Sequence, residues 1–447
     1  MNFEKIREIL FCEAKKAGLS EFDVYLRMEE SHSAEALNRE PSAFSSSKSG
    51  GVSLRVSVDG RLGAAATECF EEEELAALVS RALANARVTD ADEEPIFYGD
   101  FTNTEYSKPT VEPMSIPTAA ELRHTALALQ EEMYGESELV TDGTTSETGA
   151  SKVTVSIANA KGLSLSHTAS MHYAYAKAII RDGEEPSYGT ANSTELDPAL
   201  SGIAKKAVDE AKARLGAVNL QTGKYDVIFS AKQVRSLLSA YARIFSGKRA
   251  LQGLSLLKGK EGEVVASPAV TLYDDPFYKD NPMQMPFDAE GVATYKKALI
   301  EGGVLKTLLY DLTYAKKAGV VSTGNAARGY ADPVSISHFC LSLAAGELSF
   351  HDLLKRLGDG IYITEMKGLH SGADAVTGDF SIESAGFLVK NGQLAAPVHS
   401  FTVAGNFFDL LKAVDALSDR VETGLPGFSM IAAPDMLVRG LSCAGES

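Results

Sequence analysis

Apolar positions along the chain switch between two periods. Phe3, Ile6, Ile9 and Leu10 recur at helical spacing and stop before Gly18, after which FDVYLRM moves towards the alternation of a half-buried strand. The Ser-rich stretch from Pro41 to Gly51 has no such pattern and predicts a turn or loop. Val52, Leu54, Val56 and Val58 then alternate with polar residues up to Asp59-Gly60, a tight hairpin signal. Glu71 to Glu74 open a helix with Leu75, Leu78, Val79, Ala82, Leu83 and Ala86 on one face, the acidic turn suiting the helix dipole. From Thr89 to Pro117 the chain is acidic, Pro-bearing and aperiodic, which predicts a linker.

A second set of elements follows. A helix is predicted from Thr118 to Tyr134, stopped by Gly135, then the strands VTVSIANAKGLSLS and ASMHYAYAKAII, the first with its own turn at Asn159 to Gly162. Asp197-Pro198 is a cap and first-turn pair for a helix reaching Gly216. The strand YDVIF leads into a helix over 231–245, with Val234, Leu237, Leu238, Tyr241, Ala242 and Phe245 as its apolar stripe. Many short β-like runs separated by Gly come next, with Gly302-Gly303 and Asn391-Gly392 as hairpin turns. Grouped helices and antiparallel hairpins predict an α+β fold of mostly antiparallel sheets with flanking helices. The predicted divisions are 1–90, a linker over 91–117, a central segment over 118–220 and a β-rich part over 221–447.

Charge narrows the function classes. The 447 residues carry 43 Lys and Arg against 60 Asp and Glu, a net charge of −17, which argues against direct nucleic-acid binding. No apolar run approaches the roughly 18–20 residues of a membrane span. Glu4 and Glu8 fall where a signal peptide keeps an uncharged core, so a cytoplasmic protein is expected. Cys12, Cys69, Cys340 and Cys443 show no paired spacing, so neither a disulfide framework nor a zinc ribbon is expected.

The common chemical motifs are absent. There is no G-x-S-x-G elbow and no phosphate-binding Gly loop, Gly358-Asp359-Gly360 lacking its third glycine. None of the eight histidines precedes a glutamate. His167 and His172 are five apart in strand-like sequence, hence on opposite faces, and His338 and Cys340 lie two apart, which fits packing better than ligation. Asp274-Asp275 before Pro276 reads first as a turn, and Lys205/Lys206, Lys296/Lys297 and Lys316/Lys317 read as solvated faces.

Several longer strings carry a resemblance. GKEGEVVASPAVTLYDDP, FDAEGVATYKKALIEGGVLKTLLYDLTYAKKAG, STGNAAR and TGDFSIESAGFLVKNGQLAAPVHSFTVAGN occur in order over roughly 225–445, and together they resemble the TldD/TldE (PmbA) family. The resemblance implies a TldD/PmbA-like two-part architecture. In the catalytic TldD type a helix carries HExxxH and a later cysteine completes a zinc site, sound chemistry for water attack on a peptide bond. On the matching helix the histidine positions hold Ser239 and Ile244, the glutamate position holds Ala240, and Val421 to Pro434 offers no cysteine. The resemblance therefore implies the TldE/PmbA type, with no catalytic residue, cofactor or metal ligand in this chain and zinc only in a TldD-like partner. The implied partners are that catalytic subunit, or a second copy as a homodimer, and an unfolded or leader-bearing peptide, with no direct nucleic acid and no membrane. Two alternatives remain: a self-sufficient hydrolase using Asp274/Asp275 or His338 with Cys340, and a regulatory protein modulating DNA gyrase without proteolysis.

Overall fold

The computed structural model describes residues 1–89, 95–99, 101, 104–183 and 186–445. Asp90 to Glu94, in the acidic stretch expected to be a linker, lie outside them. The chain opens with α1 (Phe3–Lys16), β1 (Phe22–Leu37), β2 (Glu40–Val58), β3 (Arg61–Thr67) and α2 (Glu72–Val88). It continues with α3 (Ala119–Glu136), β4 (Thr145–Asn159), β5 (Ser164–Arg181), β6 (Pro186–Ser193), α4 (Pro198–Ser201) and α5 (Ile203–Ala213). Among the described residues these strands form one antiparallel sheet in the order β3-β2-β1-β4-β5-β6. Ile6, Leu10 and Ala14 of α1 and Leu75, Leu78 and Ala82 of α2 are buried against Val24, Val52, Leu54 and Val56. Each large apolar side chain so buried contributes about 1.5–3 kcal/mol. On the other half of the sheet α3 is held by a capping box, Thr118 Oγ1 accepting from Glu121 N and Glu121 Oε2 from Thr118 N at 2.7 Å.

Two expectations are corrected here. Pro41 to Gly51 is strand, not loop: it pairs with β1 in register (His32↔Ser46, Glu29↔Ser49), with residues 40–49 exposed. Weak β-formers hold that conformation because β1 supplies the ladder. β3 joins β2 only from Val52, so among the described residues the outer edge of 40–51 has no paired strand. The helix expected from Asp197-Pro198 to Gly216 is broken at Gly202, which adopts φ 59° between α4 and α5.

The second half begins with β7 (Gly223–Phe229), α6 (Ala231–Tyr241), a 3-10 turn over Ala242–Phe245 and α7 (Gly247–Leu251). Next come β8 (Leu272–Asp274), β9 (Lys297–Glu301), β10 (Val304–Leu305), α8 (Leu312–Ala318), β11 (Ala326–Ala327), β12 (Ser335–Ile336) and β13 (Cys340–Leu343). The chain closes with α9 (Phe350–Leu357), β14 (Gly360–Lys367), α10 (Leu369–Gly372), β15 (Asp379–Lys390), β16 (Gln393–Asn406), α11 (Phe407–Lys412), β17 (Val414–Thr423) and β18 (Met430–Gly445). Its main sheet runs β10-β9-β8-β13-β18-β16-β15-β14-β7, and β7 also pairs with β18, closing a ring of strands. Among the described residues, its parallel strand pairs are β13–β18 and β14–β7. The turns at Asp59-Gly60, Gly302-Gly303 and Asn391-Gly392 have φ of 51° and 75°, 54° and 83°, and 50° and 71°. Two consecutive positive φ values match the twist of the strands they join. The fold is α+β with large antiparallel sheets.

A buried ion cluster ties the two halves. Asp23 of β1 accepts from Arg55 of β2 (Nε to Oδ2, 3.0 Å) and from Arg328 (Nη2 to Oδ1, 3.1 Å), while Arg55 Nη1 reaches Glu290 at 3.5 Å.

Candidate functional site

α6 forms because Val234, Leu237, Leu238 and Tyr241 repeat at helical spacing and are all buried. Ser230 at its start supplies no side-chain cap; Asp435 of β18 does so across the fold, its Oδ1 accepting from Ala231 N at 2.8 Å. Burial pushes the Asp435 carboxyl up to about 6. The other end is fixed by Tyr241, whose ring stacks on Phe407 at 4.2 Å and whose hydroxyl donates to Asp379 O at 2.9 Å. There the α-helix stops and the chain tightens into the 3-10 turn. Gly247 follows because a Cβ there would lie 2.1 Å from the Tyr310 ring.

The polar face of α6 looks onto an open cleft of about 950 Å³. Lys232, Arg235, Ser236, Ser239, Ala240 and Arg243 line one side, with Arg249 of α7 beside them. Leu369 to Val376 contribute the second wall, and Gly424, Leu425 and Ser429 to Ile431, from the β17–β18 connection, the third. Ser239 is exposed at this surface and Ala240 is partly exposed there. Ile244 is elsewhere: it is fully buried in the main apolar core of this half. The fold thus brings Ser239, Ala240 and the Val421–Pro434 segment to one cleft and leaves Ile244 out.

The donor set there does not fit a zinc site. A serine hydroxyl, an alanine and a core isoleucine stand at the three positions, and His370 and Asp374 are the cleft's other candidate ligands. Asp374 Oδ1 already accepts from Val376 N at 2.7 Å in its own turn. Among the described residues no group of three or more His, Cys, Asp or Glu side chains is placed to hold a metal.

The other residues singled out in the sequence have different surroundings. Asp274 is not a turn residue but ends β8 fully buried. Its Oδ1 accepts from Phe339 N and Cys340 N at 2.8 and 3.1 Å, and its Oδ2 from Asn325 Nδ2 and Lys297 Nζ at 2.7 and 3.3 Å. Lys297, expected on a solvated face, is therefore a buried partner, and burial pulls its pKa down. Asp275 does make the turn, accepting from Phe277 N at 3.0 Å. His338 precedes β13 instead of sharing its face with Cys340, and burial lowers its pKa. Burial pushes the Cys340 thiol up, which suppresses the thiolate a nucleophile requires. His167 Nε2 lies 2.8 Å from Gln284 O, and burial lowers the pKa of both His167 and His172.

Similarity to known proteins covers the same regions. The profile of the PmbA/TldA metallopeptidase C-terminal domain matches residues 222–445, that of its domain 1 matches 22–86 and that of its central domain 110–215. The chain belongs to the PmbA/TldD metallopeptidase family. A Haemophilus influenzae metalloprotease PmbA homolog is 28% identical over 386 residues, covering 83% of this chain and 82% of that protein. A Thermotoga maritima protein, solved as a candidate modulator of a DNA gyrase, superposes with a TM-score of 0.90 at 30% identity, covering 99% of this chain and 100% of that one. TldE from Thermococcus kodakarensis shares the fold with a TM-score of 0.83 at 21% identity, over 98% of this chain and 100% of that one. Within this PmbA/TldD chain the basic wall of the cleft escaped the sequence reading. Its signal was Lys232, Arg235, Ser236, Ser239 and Arg243, a polar stripe opposite the apolar one whose only charges are positive.

Proposed function

We propose that this chain is a non-catalytic, TldE/PmbA-like subunit of a TldD/TldE-type zinc metallopeptidase, acting in the proteolysis or maturation of unfolded or leader-bearing peptides. The observation that carries the reading is the cleft at α6, where Ser239 and Ala240 face the opening and Ile244 is in the core. None of the three side chains ligates zinc or acts as a general base at neutral pH. An open groove with hydroxyls and small side chains suits a partner that holds an extended peptide while the zinc-bearing subunit cuts it. The unpaired outer edge of β2 is a second place where an extended chain could be held through backbone hydrogen bonds. On this reading the chain pairs with a TldD-like subunit in the cytoplasm, and a net charge of −17 disfavours direct contact with nucleic acid.

The test combines metal content with cleavage. The purified chain should contain no stoichiometric zinc and leave an unfolded reporter peptide intact. Adding an HExxxH-bearing family member should give a complex that cuts it faster than that member alone. Stoichiometric zinc together with cleavage by the lone chain would overturn the reading.

A further inference from the structure

The charge of the α6 cleft is opposite to that of the molecule. Four cationic side chains, Lys232, Arg235, Arg243 and Arg249, line it against the single carboxylate of Asp374, in a protein of net charge −17. Two of the four have partners: Lys232 Nζ donates to Thr190 Oγ1 at 2.7 Å, and Arg235 Nη1 approaches Glu422 at 3.4 Å. Burial lowers the pKa of both, so the wall is partly shielded from water. The other two stand differently. Arg243 is exposed and Arg249 is partly buried, and neither has a carboxylate partner among the described residues. Arg249 Nε is buried with no hydrogen-bond partner among the described residues. Asp374 makes no ion pair with either among the described residues; its Oδ1 accepts from Val376 N and Thr377 N.

We infer that this cleft binds the carboxylates of an acidic, extended peptide, with Arg243 and Arg249 as the recognising pair. A guanidinium presents a planar fork that matches a carboxylate with two parallel hydrogen bonds, strongest where water is partly excluded. Leu425 on one wall and Ala375 and Val376 on the other give the rest of a peptide apolar surface. Ser236 and Ser239 face the same space. A nucleic acid fits less well, since a long polyanion is repelled by a molecule of net charge −17. This inference rests on the peptide-holding role proposed above and names the substrate class: peptides rich in Asp and Glu.

The test is direct binding by fluorescence anisotropy, on the purified chain alone. The probes are a labelled peptide of alternating Glu and Ala, its Gln counterpart, and the Glu peptide with an amidated C-terminus. The Glu peptide should bind at least about tenfold tighter than the Gln peptide, and added salt should weaken it. Amidation should leave the affinity of the Glu peptide unchanged within about twofold, because the recognised carboxylates are on side chains; loss on amidation alone would overturn the inference. The double variant R243Q/R249Q should lose about tenfold in affinity for the Glu peptide. Arg243→Gln alone, at an exposed position that leaves the core untouched, should lose several-fold with unchanged circular dichroism. Equal binding of the Glu and Gln peptides, unchanged affinity in Arg243→Gln, or displacement by a single-stranded oligonucleotide at lower concentration than by unlabelled Glu peptide would overturn it. Neither zinc nor a partner enters this readout, so its failure is distinct from failure of the subunit assignment.

Discussion

At the scale of single residues, Asp274 shows how a hydrophilic pair can be structural. Four donors converge on one carboxylate with no exposure, and two of them are backbone amides, that of Cys340 at the start of β13, which pairs with β8, and that of Phe339 just before it. Removing the carboxylate leaves the Lys297 ammonium buried with no directly paired carboxylate, beside the Asn325 amide oxygen at 3.1 Å and the Tyr295 ring at 4.6 Å. Asp274→Ala should therefore cost about 3–5 kcal/mol, measured by urea denaturation. A loss within about 0.5 kcal/mol, the scale of an ordinary surface change, would show that the cluster is not holding this region. The sequence carried the pair Asp274-Asp275 before Pro276 in plain view. Asp275 could be read as a turn residue because its partner, Phe277 N, is two residues away. Asp274 could not, because Lys297, Asn325 and Cys340 reach it from 23, 51 and 66 residues along the chain.

At the scale of elements, local chemistry decided some features and neighbours decided others. The hairpin turns at Asp59-Gly60 and Asn391-Gly392 were legible because their backbone conformation nearly demands Asn, Asp or Gly. The α6 stripe was legible from its spacing, whereas the other two walls of the cleft come from segments more than a hundred residues further on. The Ser-rich half of β2 was illegible, since its strand state comes from the ladder with β1 and not from its own side chains. The cap of α6 belongs to this second kind. Asp435 is held at about 6 by burial, against about 4 for an unfolded aspartate. Across that window the folded chain retains a proton that the unfolded chain has released. Stability from this group is thus fullest below about pH 4 and declines as pH rises to about 6. Asp435→Asn should flatten the decline, so that its stability relative to wild type improves by on the order of 2 kcal/mol between those limits. Parallel pH-dependent melting curves for the two proteins would sink this assignment.

At the scale of the whole molecule, the two large sheets are joined by charge as well as by apolar packing. Asp23 sits between two guanidiniums, and Tyr25 Oη donates to Arg328 O at 3.1 Å. Met283, Met285 and Phe287 from the second half pack with Tyr25, Val153 and Val155 of the first sheet. Asp23→Ala strands Arg328 in the interior, leaves Arg55 only the longer contact to Glu290, and should lower stability by about 3–5 kcal/mol. Because the lost contact lies between the halves, calorimetry should resolve two transitions where the parent gives one. A single transition within about 1 kcal/mol of the parent would locate the coupling in the apolar contact instead. The general class, α+β with antiparallel sheets, could be read from grouped elements and turn spacing. The sharing of one sheet by segments on either side of the acidic stretch could not, because nothing local in β1 names β4 as its neighbour.

The place of Ile244 has a consequence for what substitution could build at this cleft. Three point changes, Ser239→His, Ala240→Glu and Ile244→His, would rewrite the peptidase signature in the sequence without rebuilding it in space. The first two would face the cleft, but the third would put an imidazole among the leucines and aromatic rings of the core. Such a variant would carry an imidazole and a carboxylate at the cleft and a second imidazole out of their reach, so the string of residues would be restored without its three donors meeting.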